Sequence, residues 1–233
     1  MIPTHPHLTY KNKVTYYMKN SFDFEKFAKE KKVSTHYLNK YKKNSSGIFE
    51  PFSHPSDVFG KLLEKRIILL TGEVDDYICD LIKAQLLYME SISDEDITLY
   101  ICSGGGDVYS GLGLLDVMDF VKPDIVTVNT GLAASMAAVL LCGGTKGKRK
   151  SLKRSRTMIH QPMTGFGSYA QASDMEIEAK EINSLKKELY EIISESTGQN
   201  YDKVYKDSDR DYWMTAEDAK KYGMIDEIIK NRK

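Results

Sequence analysis

The sequence predicts an α/β fold, a parallel sheet covered by helices. Two observations carry that prediction. Beyond residue 50 or so, short β-rich apolar runs alternate with longer segments of helical spacing. A glycine run, Ser103-Gly-Gly-Gly-Asp107, then stands where a strand would hand over to a helix. No internal repeat is evident, and no apolar run reaches the roughly 18 residues a membrane helix needs.

The elements follow in order. Residues 1–50 form a leader with ten lysines against Asp23, Glu25, Glu30 and Glu50, a balance of +6 in a chain whose formal net charge is zero. It reads as a helical appendage, a propeptide or a tail, with no chemistry assigned to it. Asn44-Ser-Ser-Gly47 reads as a linker, and residues 51–233 as one further domain. Arg66 to Thr71 is a strand. Tyr77 to Ser91 is a helix, with Ile78, Ile82, Leu86 and Met89 at helical spacing. Ile97 to Cys102 is a strand, Val108 to Val121 a helix, Ile125 to Thr130 a strand and Ala133 to Cys142 a small-residue helix. Such alternation is the pattern of βαβ units. Arg156 to Gln161 is a short strand that Pro162 ends. Ser173 to Thr197 is a long charged helix. Its apolar positions include Met175, Ile182, Leu185, Leu189 and Ile192, a narrow seam suited to packing on another helix. Thr215 caps a last helix that runs to Tyr222.

Composition excludes several function classes. Zero net charge gives no global field for nucleic acid or an anionic membrane. Lys146 to Arg156 holds seven basic residues without an interleaved aromatic, so it reads as a solvated turn. Cys79, Cys102 and Cys142 lack paired or metal-ligand spacing and read as small buried hydrophobes in a reducing compartment, which is cytoplasmic or an organelle stroma. No metal site is expected. The polar N-terminus lacks the apolar core of a secretory signal.

The chemistry centres on Ser135, in Gly131-Leu-Ala-Ala-Ser-Met136, where a strand feeds a helix. Small neighbours allow a substrate backbone to approach. A helix N-terminus offers free N–H groups to developing negative charge. A serine needs a base. Of five histidines, His5, His7, His36 and His54 lie in the leader or its junction, which leaves His160 as the base within the domain. Asp174 and Asp211 compete as the acid that orients it. Asp174 opens the long helix, where a first-turn acid has its own explanation.

Eight segments in order resemble the proteolytic subunits of the Clp protease family. They are Arg66-Ile-Ile-Leu-Leu-Thr-Gly72, Leu99-Tyr-Ile-Cys-Ser-Gly-Gly-Gly106, Gly131-Leu-Ala-Ala-Ser-Met136, Lys146-Gly-Lys-Arg149, Met158-Ile-His-Gln-Pro162, Gln171-Ala-Ser-Asp174, Asp209-Arg-Asp211 and Tyr222-Gly-Met-Ile-Asp226. They cover roughly residues 57 to 230; the first 50 or so show no such likeness. The resemblance implies a spiral of βαβ units like that of Clp peptidases and crotonases, with the long helix as a protruding handle. It implies a serine endopeptidase with Ser135 as nucleophile, His160 as base and Asp211 as the third member. The Gly106 and Met136 N–H groups become the oxyanion donors, and Asp209 and Arg210 contacts between rings. It further implies two stacked heptamers enclosing a chamber. No cofactor is expected in the chain itself. ATP is used by a separate AAA+ unfoldase (ClpX-, ClpA- or ClpC-like), and proteins and peptides are the substrates. Three departures stand out. Gly104 replaces the family proline, Leu132 replaces a glutamine, and Ile48 to Phe59 does not resemble the axial loops that meet the ATPase. A crotonase-like acyl-CoA hydratase shares the sheet and the paired N–H site but needs no Ser-His-Asp set. A non-catalytic ring subunit usually lacks a triad member.

Overall fold

The computed structural model describes residues 55–163 and 171–230. The leader and the Asn44-Ser-Ser-Gly47 linker lie outside them. The chain divides between Lys65 and Arg66 into two compact units. In the first, the described element is α1 (Pro55–Glu64).

The second unit is built on a seven-stranded sheet. Its elements are β1 (Ile67–Val74), α2 (Asp76–Glu90), β2 (Ile97–Gly106), α3 (Val108–Phe120), β3 (Ile125–Ala134), α4 (Met136–Cys142), β4 (Lys150–Leu152) and β5 (Arg156–Ile159). There follow α5 (Ala172–Thr197), α6 (Tyr201–Asp207), β6 (Tyr212–Thr215), α7 (Ala216–Tyr222) and β7 (Glu227–Ile229). Side chains explain the helix starts. Asp75 accepts from the Ile78 N–H at 2.8 Å and Asp107 from the Ser110 N–H at 2.7 Å. Thr215 caps α7 as expected and forms a reciprocal capping box with Asp218. Gly198, in the left-handed region, ends α5.

Strands β1, β2, β3, β4 and β7 are neighbours in that order, all parallel. β3 forks. Val128 and Asn129 pair with β4, whereas Leu132 to Ala134 pair with β5. β5 then pairs antiparallel with β6, from Arg156↔Thr215 to Ile159↔Tyr212. The core lies between sheet and helices: Leu70, Leu99 and Ile101 from the strands, Leu86, Leu114 and Leu140 from the helices, all fully buried.

Four differences from the sequence reading stand out. The helix expected from Ala133 begins at Met136, because β3 runs on to Ala134 to meet β5. The strand expected from Arg66 begins at Ile67. Arg66 itself turns at φ 58° and buries its guanidinium against the carbonyls of Met89, Ser93, Glu95 and Asp96. The basic run is not a solvated turn throughout: Lys150–Leu152 is β4, and Arg149 is 3% exposed. Arg149 makes a two-pronged ion pair with Asp226, at 2.6 and 2.9 Å, which removes its charge from any anion-binding role. Cys79 and Cys142 are buried, but Cys102 is exposed. Burial pushes the Cys79 thiol up to about 11 and the Cys142 thiol up to about 12.

The long helix has two halves. Leu189, Tyr190 and Ile193 of its C-terminal half are buried in the unit. Met175 and Ile177 near its start are 46% and 68% exposed. The seam of Ile182, Leu185 and Ile192 is half-buried.

Candidate active site

The fork in β3 creates the site. The strand that pairs with β5 ends at Ala134, and α4 starts two residues on, so Ser135 alone makes the corner. It does so at φ 53°, ψ −127°, a left-handed conformation that non-glycine residues adopt at a cost of about 1–3 kcal/mol. The corner throws the side chain out of the sheet. The Ser135 N–H donates to the Met158 carbonyl at 2.9 Å, tying the corner to β5 two residues before His160.

His160 follows the last residue of β5 and Asp211 precedes the first of β6. The ladder between these strands pairs Ile159 with Tyr212, so its next step sets His160 opposite Asp211. Side chains match this register. Ser135 Oγ lies 2.8 Å from His160 Nε2, and His160 Nδ1 lies 3.0 Å from Asp211 Oδ1. In the tautomer with its proton on Nδ1, the imidazole donates to Asp211 and accepts from the serine hydroxyl. The His160 side chain is 14% exposed and that of Asp211 58%. Of the two competing acids, Asp211 is the one bonded to His160. Asp174 is exposed in the first turn of α5.

Two glycines shape the other side. A Cβ on Gly105 would lie 2.6 Å from Ser135 Cβ and 2.9 Å from the Met136 nitrogen. Only a residue without one can press against the corner. Gly106, at φ +154°, meets the Val74 carbonyl just as closely, 2.2 Å from where a Cβ would stand. Met136 is the first residue of α4, where N–H groups have no partner within the helix. A cavity of about 240 Å³ opens beside Gly106, walled by Val108, Tyr109, Pro162, Met163 and Ile182, with Asp107, Glu178 and Glu181 at its edge. Gly106 and Pro162 both line it, so the cavity adjoins the glycine loop and the segment that follows His160. Tyr109 Oη donates to Glu181 at 3.1 Å.

A serine bonded to an imidazole that is bonded to a carboxylate is the arrangement that activates a hydroxyl for attack on a carbonyl. The Clp protease family model matches residues 52–232. The chain belongs to the Clp protease family. A relative from Bacteroides fragilis, named ATP-dependent Clp protease proteolytic subunit, is 56% identical over 174 residues, covering 74% of this chain and 83% of the relative. A second of that name, from strain YCH46 of the same species, is 49% identical over 217 residues, 89% of this chain and 98% of its own length. A third, from Porphyromonas gingivalis, is 55% identical over 179 residues, 76% of this chain and 80% of its own. Coverage of 89% is more than residues 51–233 can supply, so this likeness reaches into the leader.

Sequence reasoning missed the strained backbone of Ser135, the contact of Gly105 with it, and strand β6. The alanines around Ser135 and the β-rich Tyr212-Trp-Met-Thr215 were the available signals. Asp209 and Arg210 lie at the surface beside Asp211, their side chains 59% and 83% exposed and 3.7 Å apart. Among the described residues no cluster of His, Cys, Asp or Glu has metal-holding geometry, and no helix is long and apolar enough to cross a membrane.

Proposed function

We propose that this chain is a serine endopeptidase that cuts peptide bonds inside a closed double ring of its own copies. The observation that carries this reading is the unbroken chain of two hydrogen bonds from Ser135 through His160 to Asp211. As Ser135 Oγ attacks the scissile carbonyl, His160 Nε2 takes its proton. Asp211 holds the imidazole in the Nδ1–H tautomer and stabilises the imidazolium. The Met136 and Gly106 N–H groups receive the oxyanion, and the preformed corner at Ser135 costs no reorganisation at that moment. His160 returns the proton to the leaving amine. A water molecule, deprotonated by the same nitrogen, then frees the acyl group. The cavity beside Gly106 receives a substrate side chain.

Family membership and the exposure of the site support assembly. The isolated chain leaves Asp211 open to water, Arg210 unburied, and the first half of α5 uncovered. Two stacked heptamers, with the handle helices and the Asp209–Arg210 pairs meeting between rings, cover all three. Residues 51–233 constitute the peptidase domain, a division that the family match from residue 52 supports. Residues 1–50 are an extension outside the catalytic machinery. The sequence holds no Gly-x-x-x-x-Gly-Lys-Ser/Thr phosphate loop. Work on folded substrates therefore falls to a separate AAA+ unfoldase that uses ATP, in the cytoplasm or an equivalent reducing compartment.

Fluorophosphonate labelling tests the catalytic claim. The reagent modifies an activated serine, and we expect adduct on Ser135 in the parent and none in Ser135→Ala. An assembled parent that stays unlabelled would restore the non-catalytic or hydratase reading.

A further inference from the structure

We propose that Gln161 is a positioning residue that holds Asp211 against His160, and that Lys186 of α5 holds Gln161 in place. The proposal rests on the triad reading above. The β5–β6 ladder ends at Ile159 and Tyr212, one residue short of the two side chains whose spacing matters most. Backbone pairing therefore stops where precision is needed. Past that point the two segments are joined by a side chain. Gln161 Nε2 donates to the Asp209 carbonyl at 2.7 Å, two residues before Asp211.

The other end of the same amide is also used. Gln161 Oε1 accepts from Lys186 Nζ at 3.2 Å. A cation on the amide oxygen polarises the group and strengthens its N–H donor. Lys186 is itself caged, 4.6 Å from the ring centre of Tyr205 and 5.7 Å from that of Tyr190. Tyr190 Oη donates to the Ser208 carbonyl at 3.3 Å. The long helix thus grips residues 208 and 209 twice, once directly and once through Gln161. Asp211 is 58% exposed, so its place depends on the backbone that carries it rather than on packing around its carboxylate. A displacement on the order of 1 Å in a catalytic group can cost about a hundredfold in rate.

Gln161→Glu isolates the donor. The variant keeps length and an acceptor for Lys186, but sets an oxygen against the Asp209 carbonyl. We expect kcat on a short fluorogenic peptide to fall about tenfold with KM changed by less than about twofold, at unchanged particle mass. The decisive arm is the double variant. Asp211→Asn alone should lower kcat about 10⁴-fold, the scale set by loss of a triad acid. If Gln161 acts through Asp211, adding Gln161→Glu should then cost less than about twofold more, because little positioning remains to lose. Lys186→Met should give a smaller loss that Lys186→Arg restores. If Gln161→Glu does not assemble, Gln161→Met carries the same expectations. Multiplying losses in the double variant, an unchanged kcat in Gln161→Glu at parental particle mass, or a loss traced to a smaller particle in both Gln161→Glu and Gln161→Met would each overturn the proposal. Full turnover by Asp211→Asn would instead overturn the triad reading beneath it.

Discussion

Ser135 occupies a conformation that disfavours any side chain, and its neighbours make the conformation possible. The N–H bond to Met158 fixes one side of the corner, and Gly105 fills the space on the other. The residue types of the site were legible in the sequence, since a serine among alanines, one histidine beyond the leader and its junction, and a glycine run have few other joint explanations. The contact between Gly105 and Ser135 was not, because it joins positions 30 apart through the meeting of two strands. It predicts a contrast between adjacent glycines. Gly105→Ala places a methyl group inside contact distance of Ser135, at φ +94°, so peptide turnover should fall by at least about a hundredfold. Gly104→Ala meets open space, and its turnover should stay within about twofold. Steady-state kinetics on both variants checks this. Equal behaviour would remove the steric account of the corner.

Elements bring His160 and Asp211 together. His160 and Asp211 are 51 positions apart, and only the antiparallel register of β5 and β6 makes them opposite. The sequence showed β5 by its apolar run and missed β6, whose four residues give too little periodicity to read. The frame behind these strands is closed by Arg149 and Asp226, which join the start of β4 to the approach to β7. Burial opposes ionisation of Asp226, but bonds from the Arg149 side chain and from the Arg149 and Gly147 N–H groups outweigh it and hold the carboxyl below its usual range. A depressed folded-state pKa contributes stability that is present above the unfolded value, about 3.9, and is lost as pH falls through the folded value. Asp226→Asn leaves Arg149 buried without its counter-charge, so it should cost about 3 kcal/mol at pH 7. The Tm gap between parent and variant should then narrow as the pH is taken below about 4. A gap that is constant across this range would mean that the pair does not titrate with folding.

On the scale of the whole molecule, the long helix buries one end and exposes the other, and the Asp211 carboxylate faces water. The sequence made the helix legible through its length and charge. It could not show that the seam divides, because burial depends on where the rest of the unit stops. If rings meet through this helix and the Asp209–Arg210 pair, charge reversal at Arg210 should separate them. Arg210→Glu is expected to halve the native mass by light scattering and to lower peptidase activity with it, although Arg210 touches no reacting group. A fully active particle of unchanged mass would place the ring contact elsewhere.

The central claim is that a triad formed within this chain hydrolyses peptides. Turnover of a short fluorogenic peptide by purified Ser135→Ala, beside the parent at equal native mass, tests it most directly. Members of a triad act as a unit, so the account predicts a loss of about a millionfold in kcat. Near-parental turnover by the variant would contradict it.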